Sequence, residues 1–351
     1  MAQDRSPNDS GKGRLAGLDA LRGIAATMVV LFHYTYDYEQ NFGHTIGLPL
    51  YFPLGKYGVE LFFMISGYVI LMTLDRSRSI GDFAFARFSR LFPAYWCAVV
   101  TTFVVVSLLG LPTWHVDLAT AAINLSMLQE FFGVRHVDGV YWTLHAELGF
   151  YILIAVVIGA GLRRRLIPIF VALVLFDGVA RFVDWPNSVP GLWRLYRLIP
   201  LKHLGLFLIG IVIYELRNGW AWKYVPVLLA CIIVASMPYG TYRQVMITAC
   251  AALVFVAIRW NSKIWSTFPM LSFLGSISYP LYLVHAAIGL AVIRRLEQNG
   301  IPPLAAIAGA MAVAFTLAAA NTYLVEKPAM RSLRSWYRTR RDNAISQRAA
   351  R

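Results

Sequence analysis

Residues 18–36 read LDALRGIAATMVVLFHYTY, an apolar run that also carries Arg22 and His33. A helix rises 1.5 Å per residue, so about 20 such residues cross the roughly 30 Å hydrocarbon core of a bilayer. This run is therefore read as a spanning helix. His33 lies eleven positions after Arg22. At about 100° per residue that step ends ~20° past three full turns, so both side chains share one face, ~16 Å apart along the axis. Ionisable groups inside a membrane helix are costly, which makes each a functional candidate. A snorkelling arginine and a hydrogen-bonded structural histidine are the alternative, and the pair alone does not decide between them.

The rest of the chain follows the same pattern. Its 351 residues are 58% hydrophobic and 14% charged, against about 25% charged for a soluble domain. A lipid-facing surface removes the need for a polar coat. The expected fold is an all-α polytopic membrane protein of about ten transmembrane helices in one bundle. They are placed near 18–36, 57–74, 92–111, 140–161, 166–182, 201–216, 224–238, 242–259, 271–293 and 303–324. The segment 117–132 is apolar but short, and is read as interfacial or re-entrant on the outer side. The net charge of +14 sits in short clusters between apolar stretches, the distribution of topogenic charge rather than of a nucleic-acid surface. With these helices, 22 of the 32 Lys and Arg fall on one side of the membrane, which predicts cytoplasmic N- and C-termini. Residues 1–17 then form a polar cytoplasmic segment, 18–330 the transmembrane domain and 331–351 a basic cytoplasmic tail. No small-residue cleavage site follows the first apolar run, so the first helix is expected to be retained. Cys97, Cys231 and Cys250 lie in apolar runs without metal-ligand spacing, and no metal is expected.

Further polar motifs punctuate the apolar runs. FFMISGY (62–68) places Ser66 beside Gly67, a residue that lets helices approach closely. RFSRLFPAYW (87–96) puts Arg87 and Arg90 three residues apart on one helical face, a geometry suited to bidentate phosphate binding and equally compatible with inside-positive charge. YWTLHAELGF (141–150) carries Trp142, His145 and Glu147, and a carboxylate at that depth needs a partner or a polar cavity. SISYPLYLVH (276–285) brings Tyr279, Tyr282 and His285 into a Pro280-interrupted helix, of the kind that lines a cavity. Glu326, in VEKPAMR, reads as an anchor or ion-pair partner at the cytoplasmic boundary.

In this order the motifs Arg22-x10-His33, FFMISGY, Arg87-Phe-Ser-Arg90, YWTLHAE, SYPLYLVH and VEKP resemble the membrane-bound acyltransferase-3 family, the O-acetylase type that modifies bacterial polysaccharides and lipo-oligosaccharides. The resemblance spans roughly 18–330. It implies a multi-pass enzyme of the bacterial inner membrane that moves an acyl group, usually acetyl, from acyl-CoA to a hydroxyl of a cell-surface or exported glycan. It further implies that Arg22 and His33 are essential, with His33 near the transfer point, and that Arg87 and Arg90 serve the CoA end. Acyl-CoA is then a co-substrate, with no permanently bound cofactor. A sugar hydroxyl needs a general base, and histidine, with an ordinary pKa near 6.5, suits that role. A covalent acyl-His33 is the variant mechanism. Ser66, Tyr279 or Tyr282 are candidates to steady an oxyanion, and His145 and Glu147 to bind the acceptor. The reading from another class is a secondary transporter or flippase, with Arg22, His33, Glu147 and His285 along a substrate or proton pathway; the lack of visible inverted repeats counts against it.

Overall fold

The computed structural model describes residues 7–111, 114, 116–183, 199–217, 225–236, 240–259 and 268–349. Part of the N-terminal segment and the basic positions Lys223 and Lys263 lie outside them. The described residues are helical, with no strand among them. Among the described residues five helices are long and apolar enough to cross a membrane, or six if one bent pair counts as a single span.

Local chemistry sets the helix ends. The helix Ile80–Leu109 starts where the Ser79 hydroxyl accepts from Asp82 N (3.1 Å), a side-chain cap on an otherwise orphaned amide. It stops at Gly110, whose φ of 72° favours glycine. That start is earlier than the 92 expected from hydropathy, because the amphipathic stretch before Arg87 continues the helix. Arg87 and Arg90 are thus well inside it. The short helix Leu118–Asn124 folds back along Ile80–Leu109, with Tyr95 Oη donating to Asn124 O (2.7 Å) and Trp96 Nε1 to Leu125 O (2.9 Å). These contacts lie about 20 Å along the axis from Leu109, so the segment folds back over more than half of that helix.

Ion pairs at the two ends show how the helices alternate. At one end, Arg163 pairs with Asp75, Tyr214 Oη donates to Asp75 (2.7 Å) and Arg341 meets Asp82 at 3.4 Å. At the other, His44 bonds Glu297 (2.6 Å) and Arg243 bonds Glu60 (3.2 Å). The first helix, Pro7–Leu31, passes through a π-helical turn at Phe32–Asp37, and a second such turn, Asn321–Glu326, joins Pro303–Ala320 to Lys327–Ala349. Such turns rotate the residues after them relative to an α-helix. The helix bearing SISYPLYLVH is broken as well, but not at Pro280. Pro280 lies inside Pro269–Val284, and the chain bends by 73° at His285 before Ala286–Gln298.

Small residues let these helices touch backbone to backbone, the main route to tight packing in lipid. A Cβ on Gly67 would overlap the Phe207 carbonyl, and one on Gly210 would overlap the Met64 carbonyl, so the helices Gly58–Arg76 and Leu201–Arg217 cross at these two glycines. Gly23 and Gly275 do the same for the first helix against Pro269–Val284. Gly67→Val is expected to force the crossing apart at a cost of about 1–3 kcal/mol, read as a lower midpoint of thermal unfolding in detergent. An unchanged midpoint would contradict the crossing.

Candidate active site

Two cavities meet inside the bundle. The inner one is narrow and is lined by Arg22, Ser66, Arg87, Arg90, Glu147 and Tyr279, with Val59, Phe63 and Tyr282 among its other walls. The crossing at Gly67 turns Ser66 into it, and the early start of Ile80–Leu109 carries Arg87 and Arg90 to it. Charge is offset within the cavity and beside it. Glu147 accepts from both Ser66 and Tyr151. Arg90 pairs with Glu326, which the second π turn delivers, and lies 5.4 Å from the Tyr279 ring. Arg87 donates to Thr73 Oγ1 (3.1 Å). Arg22 has a buried Nε with no hydrogen-bond partner among the described residues, a donor left for a ligand.

The outer cavity, roomier at about 680 Å³, is lined by His33, Asp37, Lys56, Trp142, Lys202 and His203. Val59, Phe63 and Tyr282 line both cavities, so these three side chains form a waist between them. Within the first π turn, His33 Nδ1 lies 2.9 Å from Asp37 Oδ2. A carboxylate only accepts, so Nδ1 is the donor to Asp37 and Nε2 is the ring nitrogen not engaged by that contact.

Behind His33 the broken helix is held from several sides. Tyr34 Oη donates to His285 O (2.8 Å), and Asp138 accepts from Ala287 N (2.9 Å) and Val140 N (3.2 Å). Asp138 therefore caps the helix after the break, where a negative group meets the positive helix end. Burial pushes its carboxyl up to about 6, with the two amide bonds and nearby His33 acting in the opposite direction. The His285 ring lies 5.1 Å from the His33 ring, and its Nδ1 is 2.9 Å from Tyr282 O.

The predicted residues therefore separate into groups. Arg22, Arg87, Arg90, Ser66, Glu147, Tyr279 and Tyr282 share the inner cavity; His33 and Trp142 line the outer one. Glu147 sits with the arginines rather than with His33, because five residues beyond Trp142 is ~7.5 Å along the helix, enough to pass the waist. His145 lines neither cavity and faces Met127 O at 3.4 Å. His285 is fully buried behind His33. The protons of Ser66 and Tyr279 are already given, to Glu147 and to Leu91 O (3.0 Å), so neither is aimed at an oxyanion in this structure. Sequence reasoning passed over Asp37, Asp138 and Tyr151. The i,i+4 spacing of His33 and Asp37 was a visible signal; Asp138 required the fold. Among the described residues no group of three or more His, Cys, Asp or Glu could hold a metal ion.

The apolar helical bundle thus holds a histidine–carboxylate pair in the wall of the outer of two adjoining cavities, with three arginines in the inner one. A family model described as an acyltransferase domain, of the acyltransferase-3 family, matches residues 15–321, and the chain belongs to that family. It is 26% identical over 328 residues to an O-acetyl transferase of Shigella phage Sf6, covering 88% of this chain and 94% of that one. It is 23% identical to a Bacillus subtilis (strain 168) protein named as a candidate peptidoglycan O-acetyltransferase, covering 90% of this chain and 54% of the relative. A third relative, the acyltransferase MdmB of Streptomyces mycarofaciens, is 26% identical over 78% of each chain. No solved structure matches the chain.

The Arg90–Glu326 pair gives a direct check. Breaking a buried pair from one side costs about 3–5 kcal/mol because a charge is stranded. Glu326→Gln is expected to lower the unfolding midpoint, and Arg90→Met combined with Glu326→Met to recover part of the loss. Additive losses would show that the two side chains are not coupled.

Proposed function

We propose that the protein moves an acyl group, acetyl in the simplest case, from cytoplasmic acyl-CoA to a hydroxyl of a glycan on the far side of a bacterial inner membrane. The supporting observation is the pair of cavities that join at Val59, Phe63 and Tyr282, with arginines on one side and His33–Asp37 on the other. The inside-positive distribution makes the arginine side cytoplasmic, with about ten spans and both termini on that side. Arg22, Arg87 and Arg90 then serve the donor, and the thioester reaches the waist. The outer cavity takes the acceptor, with the Trp142 ring as a wall.

The chemistry needs one proton shuttle. Asp37 holds Nδ1–H, leaving His33 Nε2 to remove the acceptor hydroxyl proton as its oxygen attacks the thioester carbonyl. The tetrahedral intermediate collapses, the C–S bond breaks, and the departing thiolate takes the proton back from the imidazolium. Asp37 stabilises that imidazolium at 2.9 Å.

General acid–base catalysis contributes about 10²–10⁴-fold. His33→Ala is therefore expected to lower acyl transfer by at least about 100-fold without loss of membrane insertion, and Asp37→Asn to give a smaller loss. Wild-type transfer by His33→Ala would remove the histidine from the mechanism.

Sidedness is tested in sealed, oriented vesicles with acetyl-CoA on one side and a mixed glycan acceptor on the other. Product is expected only when CoA faces the basic loops. Product formed solely when both substrates share that side would refute the cross-membrane route.

A further inference from the structure

The family model ends at residue 321, and the helix that follows is basic enough to pass for topogenic charge. Its packing gives it more to do. Lys327–Ala349 runs against the start of Ile80–Leu109: Arg334 Nε donates to Ser89 Oγ (3.3 Å), and Arg341 meets Asp82 at 3.4 Å. Phe85 stacks on Tyr337 with ring centroids 4.2 Å apart and planes within 11°. Beside this contact is a surface basin of about 540 Å³, lined by Arg76, Arg78, Arg87, Arg334, Arg338 and Arg341. Asp82 is the one carboxylate among its lining residues, and it is engaged by Arg341.

Six guanidinium groups around one basin repel one another, and a single carboxylate does not offset them. Simple inside-positive charge has no need to converge; it acts equally well scattered along loops. Convergence fits a ligand with several phosphates, which guanidinium groups bind through paired hydrogen bonds. The position of the basin is equally specific. Arg87 lines both the basin and the inner cavity, so the two adjoin at that side chain, on the opposite side of the inner cavity from the waist.

The geometry points to a nucleotide subsite: the basin takes the diphosphate and 3′-phosphate of acyl-CoA, while the pantetheine arm enters the inner cavity past Arg87. Phe85 and Tyr337, which also line the basin, supply an aromatic wall for the base. This assignment rests on the acyl-CoA reading above and extends it to the C-terminal helix, beyond the segment that the family model covers. An anionic lipid headgroup offers the same phosphate chemistry, so the test must separate the two.

The full chain in phosphatidylcholine nanodiscs, which contain no anionic lipid, is titrated calorimetrically with CoA, adenosine 3′,5′-bisphosphate and pantetheine. The variant is Arg76→Gln with Arg338→Gln, two lining residues placed apart from the Arg334–Ser89 and Arg341–Asp82 contacts; its unfolding midpoint reports folding. Wild type is expected to bind CoA and the bisphosphate, and the variant to lose at least about tenfold in affinity for both, with pantetheine binding unchanged. Equal CoA affinity in variant and wild type overturns the subsite and leaves the donor reading standing. Failure of wild type to bind CoA at all overturns both. Absent bisphosphate binding, with variant-sensitive binding to vesicles containing phosphatidylglycerol, reassigns the basin to lipid headgroups.

Discussion

A guanidinium held within an apolar bundle must be answered by an acceptor, a counter-charge or a polar ligand, because lipid offers none. Arg90 and its partner Glu326 meet that demand, and much of the architecture serves the meeting. Glu326 reaches Arg90 because the helix Pro303–Ala320 passes through a π turn before it ends. Tyr279, Glu147 and Tyr151 then gather around the same cavity. With that charge offset, the two other arginines of the cavity are left to face its interior, Arg22 with a donor unspent.

Both π turns carry a partner of an ion pair or histidine–carboxylate pair. The first spans Phe32–Asp37 and carries His33 and Asp37; the second spans Asn321–Glu326 and carries Glu326. A wider turn costs helix regularity, and each here is braced by tertiary contacts. Tyr34 reaches across to His285 O, and Asn321 Nδ2 donates to Ala94 O at 3.0 Å. The histidine's orientation is therefore a property of the packed bundle as much as of the first helix.

Hydropathy and spacing made the helical class and the close approach at Gly67 readable in advance, because each depends on local periodicity or on residue size. Other features needed the third dimension. Hydropathy put the third helix at 92, since windows of apolar residues do not register an amphipathic lead-in capped by Ser79. Pro280 was the visible breaker, yet the bend falls at His285, where Asp138 and Tyr34 satisfy the backbone. Glu147 was expected beside the acceptor and lies with the arginines, a difference of one and a half helical turns that no motif encodes. Asp37 was legible by spacing, four residues from His33, and its importance emerges only when His33 is seen at the cavity wall.

The waist formed by Val59, Phe63 and Tyr282 has a consequence apart from catalysis. Two water-filled chambers joined end to end through a bilayer would be a pore, and a pore dissipates the ion gradients on which the cell runs. Two hydrophobic side chains and a tyrosine whose hydroxyl is tied to Thr143 at 2.9 Å line the join, and an ion would have to shed hydration water at high cost to pass an apolar constriction of that kind. Most of the transmembrane voltage would then fall across those few ångströms. An uncharged thioester arm can enter a gap of that kind at little electrostatic cost, whereas a proton or sodium ion cannot.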